Sequence, residues 1–153
     1  MKLNEIIDQN HIIVINEKLN KKELIKALAN KLCKLDDLDD VENIYSQLLE
    51  REKLGSTVVG NGVAVPHIRM SNIDKPHILI CNAKTGVDFE SNDKGSVNIV
   101  FLLLTPDSDI ASHLNLLAHI SHIVKNTDFV KMAIAANNRD EIFSLLIQEE
   151  SKL

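Results

Sequence analysis

Tryptophan is absent from this chain, tyrosine occurs once and phenylalanine four times. A surface so poor in aromatic rings offers few platforms for stacking bases. Positive charge is also in deficit: 17 Lys and Arg face 22 Asp and Glu, for a net charge of −5. Phosphate backbones select basic faces, so nucleic acid is not the expected partner. The two cysteines, Cys33 and Cys81, stand apart without C-x-x-C or metal-ligand spacing, which excludes a disulfide framework. Long apolar runs are missing as well. The run Ile99 to Leu104 is suited to a buried strand and is far too short for a membrane span. Met1 to Ile15 carries Glu5 and Asp8 and has no stretch that could act as a signal core, so the expected address is the cytoplasm. No G-x-x-x-x-G-K-[ST], G-x-G-x-x-G after a strand, G-x-S-x-G or H-E-x-x-H occurs.

What is present fits one globular domain. At 153 residues, 44% of them apolar and 25% charged, the chain can bury a sizeable core of Leu, Ile, Val and Ala. Ile12 to Ile15 is β-branched and short, as a strand should be. Asn20 and Glu23 are spaced as a capping box opening a helix that carries Leu24, Ile25, Leu28 and Leu32 and ends near Leu35. After the acidic turn Asp36 to Asp40, a second helix shows Val41, Ile44 and Leu48 on one stripe and ends at Arg51. Val63 to Val65 is a strand stub that Pro66 is expected to stop. Strands follow at Ile78–Cys81 and Val97–Leu104, separated by a turn-rich stretch from Lys84 to Gly95. Three helices close the chain: one from about Ser108–Ser112 to Lys125, one capped by Thr127, and one behind a second capping-box pattern at Asn138–Glu141. This order predicts a mixed α/β fold with helices covering a central sheet.

Chemistry is concentrated between Arg51 and His67, in the sequence REKLGSTVVGNGVAVPH. Pro66 fixes its own φ and stiffens the approach to His67. Gly60 and Gly62 permit close approach of a ligand to main-chain amides, Ser56 and Thr57 supply hydroxyls, and Arg51 supplies a permanently charged fork suited to phosphate. A histidine nitrogen can take up a phosphoryl group reversibly. A glycine-rich turn ending in a surface histidine accounts for the same residues taken alone.

The remaining histidines divide by geometry. His11 and His77 stand isolated and are expected at the surface or in turns. At about 100° per residue, His122 lies roughly 60° from His119 on the helical wheel, while His113 lies about 120° from His119 and 180° from His122. Those three cannot converge on one metal ion. Leu116, Leu117, Ile120, Ile123 and Val124 define the buried face, with His113 near its centre and His119 and His122 on the opposite, wet side. His113 is thus placed inward in the first turn of its helix, where free N–H groups suit an anion. A buried neutral histidine bonded to backbone is the competing reading.

The sequence Arg51-Glu-Lys-Leu-Gly-Ser-Thr57, continued by Gly60-Asn-Gly-Val-Ala-Val-Pro-His67, resembles the signature of the type 2 IIA components of the bacterial phosphotransferase system. Further matches are Thr85-Gly-Val-Asp-Phe89, Val97 to Leu104 and His113-Leu-Asn-Leu-Leu-Ala118, so the likeness runs in order along nearly the whole chain. The resemblance implies one IIA domain spanning residues 1–153, folded as a three-layer α/β/α sandwich around a mixed sheet. It implies that His67 accepts a phosphoryl group on Nε2 from an HPr-like phosphocarrier, with Arg51 and His113 flanking it. Ser56, Thr57, Gly60 and Gly62 would hold the phosphoryl oxygens, without metal or other cofactor. Val58 and Ile68 depart from the family pattern, at positions where glycine and a small residue are common. A regulatory, nitrogen-related role is favoured by the R-E-K-x-G-S-T-x-x-G-N-G form and by the lack of an accompanying IIB, IIC or HPr-like segment. Delivery of phosphate to a IIB component of a fructose/mannitol-type transporter, and a binding module that no longer carries phosphate, are the alternatives.

Overall fold

In a computed structural model that describes residues 2–91 and 95–153, the expected first strand is β1 (Ile12–Ile15), followed by helices α1 (Lys21–Asp36) and α2 (Val41–Lys53). The box that opens α1 is complete. Asn20 accepts from the Glu23 N–H at 2.8 Å, and the Glu23 carboxylate accepts from the Asn20 N–H at 2.9 Å. The C-terminal half supplies α3 (Ile110–Asn126), α4 (Phe129–Ala135) and α5 (Arg139–Glu150). The hydroxyl of Thr127 accepts from the Phe129 N–H at the start of α4, as expected of a cap. The box at α5 is only half formed: Asn138 accepts from the Glu141 N–H, but the Glu141 carboxylate receives the N–H of Asn137 instead.

The strands differ more from expectation. β2 (Val58–Gly60) and β3 (Val63–Ala64) form a small hairpin, and β4 (His67–Met70) begins immediately after Pro66. Pro66 therefore interrupts the strand without ending it. The next strand, β5, runs from His77 to Asp88, through half of the stretch read as turns, with its register shifting between Asn82 and Val87. Residues 92–94 of that stretch lie outside the described residues. β6 (Ser96–Pro106) is the centre of the sheet.

Strands are ordered β1-β5-β6-β3-β2, with β4 also on β6. β1 is parallel to β5, β5 antiparallel to β6, and both β3 and β4 parallel to β6. Val63 faces Ile99 and His67 faces Leu103, so the register is the same on both sides of the break. Successive side chains on β5 and β6 point to opposite faces. Ile78, Ile80, Ile99, Phe101 and Leu103 meet α3, α4 and α5; Leu79, Cys81, Val100, Leu102 and Leu104 meet α1 and α2. Burial of both faces explains why β6 reads as an unbroken apolar run. The architecture is the mixed α/β/α sandwich.

Three polar clusters tie the layers together. Glu52, at the end of α2, pairs with Lys21 at 2.9 Å and accepts the Thr57 hydroxyl at 2.6 Å, while the Lys21 ammonium also donates to the Phe89 carbonyl. Both side chains of that ion pair are nearly out of solvent, so the connection fixes the loop after α2 to the start of α1. Glu150, fully buried at the end of α5, accepts from the N–H groups of Leu3 and Asn4 and from His119 at 2.6 Å. His119 is therefore not on a wet face, because α5 and the N-terminal turn cover that side of α3. The histidines read as isolated, His11 and His77, meet on the two oxygens of Asp36, at 2.7 and 2.6 Å.

Removing one member of a buried ion pair leaves the other without a counter-charge and typically destabilises by about 3–5 kcal/mol. Glu52→Ala is expected to lower the unfolding free energy by that order in urea denaturation. A loss below about 1 kcal/mol, the range of exposed pairs, would show that Glu52 does not anchor the loop.

Candidate functional site

The break at Val65–Pro66 determines how His67 is presented. Proline has no N–H to give to a neighbouring strand. The Pro66 carbonyl still accepts from Leu103 on β6, and the Val65 N–H donates to the Thr57 carbonyl. The Val65 carbonyl instead accepts from Nδ1 of His67 at 2.7 Å. A carbonyl can only accept, so Nδ1 carries the proton and Nε2 keeps its lone pair. The sequence places the ring at the first position of a resumed strand, and the backbone two residues earlier fixes its tautomer.

His113 approaches from α3. Its ring centroid lies 5.4 Å from that of His67, with the planes tilted by 51°. The side chain is buried, as the helical wheel predicts, and its Nδ1 is hydrogen-bonded to the hydroxyl of Thr105 on β6. Arg51, in the last turn of α2, donates from Nη1 to the Gly55 carbonyl at 2.9 Å, which draws the guanidinium over the start of the following loop. Arg51, His67 and His113 line one open cleft of about 600 Å³ together with Gln47, Glu50, Ile68, Arg69 and Asp107. An adjoining, more apolar depression brings Ser56, Thr57 and Val59 up to the other side of Arg51 and His67.

Burial and the positive charge of Arg51 hold the His67 pKa below its ordinary value of 6.5, against the opposing pull of the Val65 carbonyl and the Glu52 carboxylate. The His113 pKa is lowered as well, by burial, by His67 and by Arg69. Both rings are therefore neutral near pH 7, and His67 offers a free Nε2 lone pair in a cleft that Arg51 and Arg69 also line. Such a cleft can accept a dianionic group onto a neutral nucleophile and neutralise its charge without a metal ion.

The other expected residues are distributed differently. The hydroxyl of Thr57 donates to Glu52, and Ser56 Oγ accepts from the Val58 N–H at 3.3 Å. Gly60 and Gly62 line neither depression. Asn61 and Gly62 both have positive φ, 55° and 75°, as the central residues of a tight β2–β3 hairpin require, so these glycines serve the turn. The first turn of α3 is already capped, because Asp109 accepts from the Ser112 N–H at 3.0 Å. Ile68 is buried on the α1/α2 side of the sheet and Val58 packs on the same core, which accounts for apolar residues at both positions.

Arg69 escaped the sequence reading. It lies two residues beyond His67 and shares its face of β4, a relation visible only if the strand continues past Pro66. Thr105 and Glu52 carried no local signal, because their partners come from other elements.

Residues 5–149 match the family described as "Phosphoenolpyruvate-dependent sugar phosphotransferase system, EIIA 2". The chain is 34% identical over 146 residues to a nitrogen regulatory protein of Bradyrhizobium diazoefficiens, covering 95% of each. It is 27% identical to a fructose-specific EIIABC component of Bacillus subtilis, where 98% of this chain matches 24% of that protein. The crystal structure of the nitrogen regulatory protein IIA-Ntr from Neisseria meningitidis superimposes with a TM-score of 0.85 at 26% identity, over 94% of this chain and 98% of that one. Signature, fold and the convergence of Arg51, His67 and His113 agree: the chain belongs to the type 2 EIIA family of the phosphoenolpyruvate-dependent phosphotransferase system.

Proposed function

We propose that residues 1–153 act as one cytoplasmic IIA domain, a phosphotransferase that takes a phosphoryl group onto Nε2 of His67 from a histidine of an HPr-like phosphocarrier. The observation that carries this reading is the fixed lone pair of His67, facing a cleft that also holds His113, Arg51 and Arg69. In the transfer, the Nε2 lone pair forms the new N–P bond as the donor's N–P bond breaks, and that electron pair returns to the donor imidazole. The proton of His67 stays on Nδ1 throughout, donated to the Val65 carbonyl. Positive charge from Arg51 and an N–H from His113 stabilise the oxygens of the passing phosphoryl group, so catalysis is positioning and electrostatics.

A regulatory role is the primary reading, supported by the likeness to nitrogen regulatory proteins over nearly the full chain. In that role the phosphorylation state of His67 controls binding to a target protein. The likeness to the fructose-specific EIIABC component supports the second reading, in which His67 passes its phosphoryl group to a IIB component.

With phosphoenolpyruvate, the first enzyme of the system and an HPr-like protein, the wild-type chain is expected to gain acid-labile phosphate and His67→Ala none. Labelling that persists in His67→Ala would falsify the assignment of the nucleophile. His113→Ala should still be labelled, about 10²-fold more slowly, because it loses one hydrogen-bond donor to the transition state; an unchanged rate would remove His113 from the chemistry. Because the His67 pKa is lowered, its nucleophilic neutral form persists as pH falls through 6.5. The transfer rate should stay level through that pH and decline only below it, as seen in single-turnover labelling across pH. A midpoint above 6.5 would contradict the desolvated, Arg51-flanked setting of the ring.

A further inference from the structure

Thr105 sits near the end of β6, opposite Arg69 in the parallel register with β4, and is fully buried. Its hydroxyl is hydrogen-bonded to Nδ1 of His113 and to no other partner among the described residues. Two arrangements of that bond are possible, and they leave His113 in opposite tautomers. If Nδ1–H donated to Oγ1, the hydroxyl hydrogen would be left without an acceptor in a dry site. Nε2 would then be a bare lone pair, which repels phosphoryl oxygens. If the hydroxyl donates to Nδ1, no hydrogen is orphaned and the single proton of the neutral ring resides on Nε2. That nitrogen has no hydrogen-bond partner among the described residues and is not among their sealed, unpaired polar atoms, so it opens to the cleft that His113 lines with His67.

We propose that Thr105 is a positioning residue for phosphoryl transfer: its buried hydroxyl donates to Nδ1 of His113 and locks that ring in the Nε2–H form that can donate to the transferred group. The tautomer follows from the structure alone; its use in transfer rests on the phosphohistidine reading above. His67 and His113 are then a matched pair held in opposite senses. The Val65 carbonyl puts the proton of His67 on Nδ1 and frees Nε2 to attack, whereas Thr105 puts the proton of His113 on Nε2 and makes it a donor.

Long-range ¹H–¹⁵N correlation spectra of the ¹⁵N-labelled, unphosphorylated protein read the tautomer directly, whether or not the protein carries phosphate. His113 is expected in the Nε2–H form in the wild type and in Thr105→Ser, which keeps the hydroxyl. In Thr105→Val, similar in shape but without the donor, the Nδ1–H form should become populated. The labelling rate at saturating donor should fall about tenfold, since part of the population then lacks the donor at Nε2. The donor concentration for half-maximal rate should not change, because Thr105 is sealed from any partner, and Thr105→Ser should restore the rate. Wild-type His113 with its proton on Nδ1 overturns the proposal, even if Thr105→Val fails to fold. So does a folded Thr105→Val protein with the wild-type tautomer and wild-type rate. Failure of the wild type to accept phosphate would instead count against the functional reading, and the spectrum would still decide the tautomer.

Discussion

The hydrogen bond from Nδ1 of His67 to the Val65 carbonyl is the contact on which the site depends. It exists because the chain pauses at Val65–Pro66 between two strand segments that pair with β6 in one register. An uninterrupted strand would lack the break at which that carbonyl meets the ring two residues on. A full turn, in contrast, would release His67 from the sheet and lose its fixed orientation. The pause gives a rigidly held imidazole with a defined tautomer, which is what the proposed transfer between two histidines requires.

The rest of the sandwich delivers its partners. α2 ends where Arg51 can reach the cleft, and the Glu52–Lys21 pair holds the loop that follows. β6 lies beside β4 and leads into α3, so the same strand that aligns His67 also carries Thr105 under His113. The burial that stabilises both rings' surroundings also keeps them uncharged, leaving the fixed positive charge of the cleft to Arg51 and Arg69. In the proposed transfer the roles are separate: one imidazole supplies the lone pair, the other an N–H, and the guanidinium groups the charge.

Much of this was legible in the sequence because the signals were local. The capping box at Asn20–Glu23, the apolar stripes of α1 and α2 and the inward placement of His113 follow from side chains a few residues apart. What was not legible depended on distant partners. Pro66 reads as a strand stop, yet β6 supplies a second set of partners beyond it, and only then does Arg69 join His67. His11 and His77 are 25 and 41 residues from the Asp36 that binds them. His119 belongs to the polar side of the α3 wheel, but a wheel contains no information about the α5 carboxylate that packs over it. Gly60 and Gly62 fit both an anion cradle and a hairpin from sequence alone; the paired positive φ of Asn61 and Gly62 shows the hairpin turn.

The central claim is that a backbone carbonyl selects which nitrogen of His67 reacts. The most direct measurement is ¹⁵N–³¹P coupling in the phosphorylated, ¹⁵N-histidine-labelled protein, which identifies the nitrogen bonded to phosphorus. The account predicts phosphorus on Nε2 of His67, with Nδ1 still protonated. Phosphorus on Nδ1, or on any other histidine, would contradict it.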